Sequence, residues 1–350
     1  MTLKSLFKHN PNIIINTDID GVLSGLLLVK YCDCNIVGFT NSRDKVWLAD
    51  GHDDLYGSVY VDMFVTDPKA ICIDQHVVAL DKKHMQDIRK NKQIFSPQSD
   101  DENNLRVFDE WDFKNKYPFG TFQYIVAKLE SEGIKIQFPD LHDLVPNSAI
   151  TVGDLLNRPD DAMKTTIYAY KKNADNWWNW LNTLAPNGNI AQLKGYLDYL
   201  ESLSDAKVDA IAIPKGQKKH KKTEYIEQRK KDVEVIKEHT KDYFKNNFQC
   251  EGKSGDGDLK IIADDNGYLS SNVSSYINSI AAIIGLKNIV IPNHYNIHKG
   301  VYCRTRWLPI FSPDFLANYS IARHKIFSYA FIYGPDNDGK TNFSFTIDMQ

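Results

Sequence analysis

The sequence predicts an α/β fold with a parallel-sheet N-terminal domain and a smaller C-terminal α/β domain across a cleft. Before residue 80, short apolar runs typical of strands alternate with a helical pattern, which is the order of βαβ units. A second series of strand and helix patterns begins near residue 250, after a basic segment that is poor in large apolar residues. We therefore predict domains over residues 1–205 and 248–350, joined by a basic linker and connecting helix over 206–247.

The elements of the N-terminal domain are predicted from apolar runs and helix-start signals. Four strands are expected at NIIIN, NIVGFT, SVYVDMFV and AICID, and the first helix at GVLSGLLLVKYC. Helical apolar spacing predicts four more helices, at LDKKHMQDIRKN, PFGTFQYIVAKLESEG, AMKTTIYAYKKNADNWWNWLNTL and NIAQLKGYLDYLESLS. We interpret Trp177, Trp178 and Trp180 as residues that pack this helix against its neighbours.

The C-terminal domain is predicted to contain both strands and helices. Strands are expected at DLKIIADD, NIVIPNH, GVYCRTRWL and NFSFTID, and a helix at YLSSNVSSYINSIAAIIGL. The run KSGDGD, residues 253–258, has turn glycines without the strand-to-helix context of a phosphate loop, so we assign it no chemistry.

Composition and charge restrict the function classes. Of the 350 residues 42% are hydrophobic and 25% charged, and the formal net charge is −3, so nucleic acid would have to bind a local patch. The odd number of cysteines, five, is typical of reduced core thiols. No apolar run has the length of a membrane span, and the N-terminus lacks the apolar core of a signal peptide. We expect a cytoplasmic protein that does not bind membranes.

Carboxylates follow several of the predicted parallel strands at the point where each strand ends. Asp18 and Asp20 follow NIIIN, Asp62 closes VYV, and Asp74 with His76 closes ICI. Because ligands of open parallel sheets bind outside the carboxyl ends of the strands, we expect these side chains to converge. Oxygen ligands with one imidazole and no thiolate favour Mn²⁺ or Mg²⁺. A strand-end Asp is also often a helix N-cap, and Asp20 can cap the first helix.

These runs resemble motifs of the DHH phosphoesterase superfamily. NTDIDGVLSG, VYVDMF and ICIDQH are similar to its first three motifs in order and spacing, and NSAITVGDLL resembles the fourth, at Asp154. KYPFGTFQYIVAKLE resembles the stretch between motifs three and four. The resemblance implies two Mn²⁺ (or Mg²⁺) ions held by Asp18, Asp20, Asp62 and Asp154, with Asp62 as the bridge.

Two residues depart from the motifs of that family. Asn16 stands where the family has a further Asp or His ligand, and Gln75 replaces the metal-binding histidine of Asp-His-His. We interpret the site as altered but still able to bind metal, with the side-chain carbonyl oxygen of Asn16 as a ligand and Gln75 as an auxiliary ligand. The resemblance further implies that Asp74 orients its neighbours and that His76 contacts the scissile phosphate or protonates the leaving oxygen.

The C-terminal segment resembles the substrate-binding domain of DHH enzymes more loosely. In GVYCRTRW, strand alternation places Tyr302, Arg304 and Arg306 on one face, where two guanidinium groups can hold a phosphate. A surface strand with solvated arginines is an alternative of nearly equal weight. IARHKIFSYAFIYG, with His324, is a candidate for a degenerate form of the family's glycine-rich substrate loop.

We therefore predict an Mn/Mg-dependent phosphoesterase, or exonuclease-like hydrolase, that acts on a nucleotide or a short single-stranded oligonucleotide by two-metal water activation. The alternative is a catalytically inactive DHH-fold module that binds a nucleotide or a protein. A homodimer is compatible with either function. The sequence leaves open the choice among single-stranded DNA, short RNA, cyclic dinucleotide and mononucleotide.

Overall fold

The main sheet has seven strands and is mostly parallel. The computed structural model describes residues 2–77, 86, 88, 90–100, 117–167, 171–211, 221–250, 257–287, 289–308, 326–333 and 341–350. The strands of the main sheet are β1 (Asn12–Asn16), β2 (Asn35–Thr40), β3 (Lys45–Ala49), β4 (Val59–Val61), β5 (Ile71–Ile73), β6 (Ile94–Phe95) and β7 (Tyr295–Lys299). Their order is β6-β5-β4-β1-β2-β3-β7, parallel from β6 to β2, with β3 antiparallel to both neighbours. The predicted α/β class and parallel sheet are confirmed.

Nine α-helices lie within the described ranges. They are α1 (Leu3–Phe7), α2 (Ile19–Cys32), α3 (Pro97–Asp100), α4 (Thr121–Ser131), α5 (Val152–Leu156), α6 (Lys171–Leu184), α7 (Asn189–Asp209), α8 (Lys221–Phe248) and α9 (Ser271–Ile283). A 3-10 helix covers Pro159–Thr166. Part of the predicted helix LDKKHMQDIRKN lies outside the described residues. Among those described, no helix is long and apolar enough to cross a membrane.

The central strand β1 is covered on both faces, which explains its continuous apolar run. Ile13, Ile14 and Ile15 are all fully buried. Because side chains of a strand alternate between faces, Ile13 and Ile15 pack into the helical layer, whereas Ile14 packs on the opposite face. This opposite face is covered by residues from the C-terminal part of the chain.

That cover is a second, antiparallel sheet with the order β8-β10-β9, formed by β8 (Val301–Leu308), β9 (Ile326–Tyr333) and β10 (Thr341–Ile347). The Phe327 ring meets the ring of Tyr60 edge-on, with centroids 6.0 Å apart. Phe64 and Tyr329 form a similar pair at 5.4 Å. The three-stranded sheet is therefore packed against the main sheet close to the end of β4.

Part of the predicted C-terminal domain belongs to the main sheet. Strand β7 pairs with β3, and the Lys30 ammonium of α2 donates to the Ile284 carbonyl after α9 at 2.6 Å. Helix α7 continues to Asp209, past the predicted boundary at 205, and α8 accounts for most of the predicted connecting segment. Residues 257–287 and 289–299 thus pack with the N-terminal elements.

Sequence and structure differ mostly at sheet edges and turns: two predicted strands do not form, and β3, β6, β7 and β9 were not predicted. DLKIIADD forms no strand and contributes a single bridge, Ala263 to Leu269, and NIVIPNH ends before β7 begins. Strand β3 was not predicted, although KVWLA supplies the antiparallel edge to which β7 binds. Pairing with a distant segment, rather than local pattern, decides which of these runs become strands.

A histidine joins β3 to the turn that precedes α9, and its charge makes this junction pH-dependent. The ring nitrogens of His294 lie 2.9 Å from Asp50 Oδ1 and 2.9 Å from the Asn266 carbonyl oxygen. Both neighbours are acceptors, so the doubly protonated ring satisfies both. The hydrogen bond to Asp50 raises the pKa of His294 above its usual value.

We predict that His294 stabilises the fold more at acid than at alkaline pH. A raised folded-state pKa gives stability that is fully present below the ordinary histidine value of about 6.5 and is lost as pH rises through the folded-state pKa. Urea unfolding of wild type, His294→Gln and the exposed control His142→Gln should therefore show a destabilisation by His294→Gln that shrinks with rising pH. A pH-independent difference would contradict the prediction.

Candidate metal centre

Several of the predicted site residues lie at the topological switch point of the main sheet. From β1 the chain passes through α2 to β2 on one side, whereas β4 binds the other side of β1 and continues to β5 and β6. A crevice forms where neighbouring strands lead away in opposite directions, and ligands of such sheets bind there. Asn16 ends β1, Asp62 follows β4, and Asp74 follows β5, so all three reach this crevice.

The two acids after β1 bind backbone N–H groups of different helices. Asp18 is the N-cap of α2 and accepts from Gly21 N at 2.9 Å. Asp20, in the first turn of α2, accepts from Thr121 N at 2.7 Å and Phe122 N at 2.8 Å. Asp20 therefore does not cap its own helix; its carboxylate binds the N-terminus of α4, where the helix dipole favours an anion.

Asp62 is held in an unusual backbone conformation between two donors. Its φ of 61° lies in the left-handed region, which few residues other than glycine adopt. Asp62 Oδ1 accepts from Thr121 Oγ1 at 2.8 Å, and Oδ2 accepts from Asn16 Nδ2 at 2.9 Å. Backbone strain of this kind persists where surrounding contacts fix the residue, and it is concentrated at functional sites.

Asn16 bridges two carboxylates with its amide nitrogen. Asn16 Nδ2 donates to Asp18 Oδ2 at 2.8 Å as well as to Asp62. The side-chain oxygen of Asn16, Oδ1, accepts from Thr17 N at 2.8 Å, which fixes the orientation of the side-chain amide. Asn16 was predicted to bind metal through its side-chain oxygen, but in the structure it directs its side-chain N–H groups towards Asp18 and Asp62.

Gln75 and His76 both contact Asp160. Gln75 Nε2 donates to Asp160 Oδ2 at 2.5 Å, and His76 Nε2 lies 3.4 Å from the same oxygen. The His76 backbone N–H donates to Asp74 Oδ1 at 2.8 Å, and Gln75 N donates to Thr121 Oγ1 at 3.1 Å. The triplet after β5 is thereby joined to the 3-10 helix and to α4.

Asp160, rather than Asp154, is the later acid that reaches the cluster. Asp154 is the third residue of α5 and forms a capping box, with Thr151 N donating to Oδ2 at 2.9 Å. Tyr196 OH donates to its other oxygen at 3.0 Å. The structure therefore gives Asp154 helix-capping contacts. Asp160, which was not predicted from the sequence, lies six positions after Asp154, directly after Pro159.

Asp258 is a further acid near the cluster that was not predicted from the sequence. Leu259 N donates to the Thr17 carbonyl oxygen at 3.0 Å, which brings this segment beside the end of β1. There the charge of Asp258 acts on Asp18. The run KSGDGD, to which we assigned no chemistry, thus ends at the edge of the cluster.

Burial and mutual repulsion raise the pKa values of the clustered carboxyls. Removal from water is the largest cause for Asp18, Asp20, Asp62 and Asp74, and neighbouring aspartates add to it. For Asp74 the nearby His76 acts in the opposite direction. The cluster favours an added positive charge, whether protons or a cation.

Two buried oxygens of this cluster suit a hard cation. Asp74 and Gln75 are each 1% exposed, and neither Asp74 Oδ2 nor Gln75 Oε1 has a hydrogen-bond partner. Carboxylate and amide oxygens are ligands of Mn²⁺ and Mg²⁺, so the donor set fits such an ion. As arranged, however, no three His, Cys, Asp or Glu side chains of the described residues already form a metal-ligating group.

A cleft lies between the cluster and the three-stranded sheet. Its lining includes Asp62, Asp74 and His76 on one side and Tyr302, Ser328, Tyr329, Ser344, Phe345 and Thr346 on the other. In the β8–β10 pair, Arg304 is opposite Ser344 and Tyr302 is opposite Thr346. The side chains of Arg304 and Arg306, and the whole of His324, lie outside the described residues.

Comparisons of the chain with protein-family models, with curated proteins and with solved structures found no match.

The space around two glycines predicts opposite effects of the same substitution. A Cβ on Gly120 would overlap Pro159 Cβ and lie 2.6 Å from Asp20 Oδ2, so Gly120→Ala should destabilise the protein by about 1–3 kcal/mol through overpacking. Gly195 is inside α7 with no atom near its Cβ position, so Gly195→Ala should stabilise it by about 0.5–1 kcal/mol. Denaturant titrations measure both, and a neutral Gly120→Ala would mean that Pro159 and Asp20 do not pack against Gly120.

Proposed function

We propose that the protein is a metal-dependent phosphoesterase that hydrolyses phosphoester bonds of nucleotides or short oligonucleotides. The observation that carries the proposal is the convergence of Asp18, Asp20, Asp62, Asp74 and Asp160, with His76, at the switch point of the sheet. Gathering buried like charges opposes folding, so a purely structural role does not account for them. Sites that bind a cation and then a phosphate need this kind of negative charge.

The residues that would hold Mn²⁺ or Mg²⁺ are Asp74, Gln75 and Asp160, next to Asp62. When bound, such an ion compensates carboxylate charge and lowers the pKa of a coordinated water, so that a nucleophile is available near neutral pH. The fold contributes fixed positions: Thr121 Oγ1 holds Asp62, and the His76 backbone N–H holds Asp74.

His76 is the proposed proton donor or phosphate contact. Its side chain is 40% exposed and it lines the cleft, so a substrate can reach the ring. Asp160 Oδ2, 3.4 Å from Nε2, orients the imidazole. A positioned imidazole of this kind can protonate a leaving alkoxide oxygen, which contributes about 10²–10⁴-fold to a rate.

The lining of the cleft is compatible with a nucleotide substrate. The rings of Tyr302, Tyr329 and Phe345 line it, and aromatic faces bind nucleobases by stacking. Arg304 and Arg306, on a strand that borders the cleft, remain the proposed phosphate contacts, and a homodimer remains a prediction.

The test is Mn²⁺-dependent hydrolysis by wild type, His76→Gln and the control His142→Gln. Substrates are single-stranded DNA, short RNA, a cyclic dinucleotide and a mononucleotide, with products separated by chromatography. We expect turnover that EDTA abolishes, a loss of about 10²–10⁴-fold for His76→Gln, and no change for the exposed His142→Gln. Full turnover in excess EDTA would exclude metal assistance, and an unaffected His76→Gln would exclude the role of His76.

One observation favours a second candidate, a nucleotide-binding module without turnover. Every carboxylate oxygen of Asp18, Asp20 and Asp62 already accepts a hydrogen bond from the protein. The hydrogen-bond acceptors of this half of the cluster are therefore satisfied without a cation, although the mutual repulsion of the carboxylates remains. Nucleotide binding by calorimetry, with no product from any of the four substrates, would favour the module over the enzyme.

A further inference from the structure

The acceptors of the cluster differ between its two halves. On the β1 side, the gap between Asp18 Oδ2 and Asp62 Oδ2 is filled by Asn16 Nδ2, 2.8 and 2.9 Å from these oxygens. On the β5 side, Asp74 Oδ2 and Gln75 Oε1 are buried and have no donor. Both halves carry an amide, but only one of the two amides presents its nitrogen to a pair of carboxylates.

The orientation of the Asn16 amide is fixed by its neighbours. The side-chain oxygen Oδ1 accepts from Thr17 N at 2.8 Å, and Asn16 is only 7% exposed. A flipped amide would place its oxygen against two carboxylates and its nitrogen against an N–H donor, so both contacts would become repulsive. The two N–H groups of Asn16 therefore take the place of a cation between Asp18 and Asp62.

The Gln75 amide donates to one carboxylate and leaves its oxygen unpaired. Its nitrogen donates to Asp160 at 2.5 Å, and its oxygen, like Asp74 Oδ2, is buried without a hydrogen-bond partner. Buried acceptors without a donor are rare in folded proteins and indicate a missing partner. A single hard cation satisfies an amide oxygen and a carboxylate oxygen together.

We propose that the chain binds one divalent cation rather than two, at the Asp74, Gln75 and Asp160 side, because the Asn16 amide occupies the position between Asp18 and Asp62. The inference rests on the proposed metal dependence, which it makes more specific. The number and position of bound ions can be measured without a substrate.

The experiment counts Mn²⁺ ions per chain in the full-length protein. Equilibrium dialysis followed by elemental analysis gives the stoichiometry, and electron paramagnetic resonance separates an isolated Mn²⁺ from two coupled ions about 3.5–4 Å apart. We expect one isolated ion in wild type. Asn16→Asp removes the N–H donors and adds a carboxylate, so it should bind two ions. The matched control Asn182→Asp changes an exposed residue of α6 and should still bind one.

Two further variants keep the test decisive. Because another carboxylate can unfold the metal-free protein, Asn16→His offers a neutral ligand at the same position, and circular dichroism with Mn²⁺ present checks folding of both variants. Gln75→Leu removes the unpaired amide oxygen and should weaken binding of the single ion by about 10–100-fold. Retention of full affinity by a folded Gln75→Leu would place the ion elsewhere and overturn the proposed location.

The outcomes separate this inference from the proposed function. Two coupled ions in wild type would overturn the single-ion site and leave metal-assisted hydrolysis intact. One ion in wild type and still one in both folded Asn16 variants would show that Asn16 does not exclude a second ion, which also overturns the inference. No Mn²⁺ in wild type at any tested concentration would overturn the proposed metal dependence itself.

Discussion

The contact between the Asp20 carboxylate and the first N–H groups of α4 determines how the site is assembled. It joins α2, which follows the central strand, to a helix more than 100 positions later. Thr121, the first residue of α4, then donates its hydroxyl to Asp62 and accepts from Gln75 N. One helix N-terminus thus fixes the groups after β1, β4 and β5, and its positive end lies where the acids are concentrated.

This arrangement also determines which charges can neutralise the cluster. The strongest charges acting on Asp18, Asp20 and Asp62 come from other aspartates. Backbone N–H groups, the Thr121 hydroxyl and the Asn16 amide supply hydrogen bonds to them but no full positive charge. Hydrogen bonds from dipoles reduce the cost of buried anions without removing their repulsion. A cation, or bound protons, therefore completes the electrostatics of the site.

What the sequence could predict follows from how local each determinant is. Strand ends are local features, and parallel strands bring their ends to one sheet edge, so Asp18, Asp62 and Asp74 could be placed together from pattern alone. Thr151 and Asp154 have capping-box spacing, a local signal that competes with a ligand role at Asp154. Asp160 has no comparable signal, because its position depends on where the 3-10 helix packs.

The same limit applies to the edges of the sheet. β3 and β7 are more than 200 residues apart, and their pairing is decided by long-range packing.

The two amides show why residue type alone does not define a ligand. Asn16 and Gln75 carry the same functional group, and each has one oxygen and one NH₂. Thr17 N binds the oxygen of Asn16, and Asp160 binds the nitrogen of Gln75. The neighbour of each amide therefore decides whether a donor or an acceptor remains for the cluster. A sequence motif specifies the amide, but only the surrounding backbone and carboxylates specify which end of it is available to an ion.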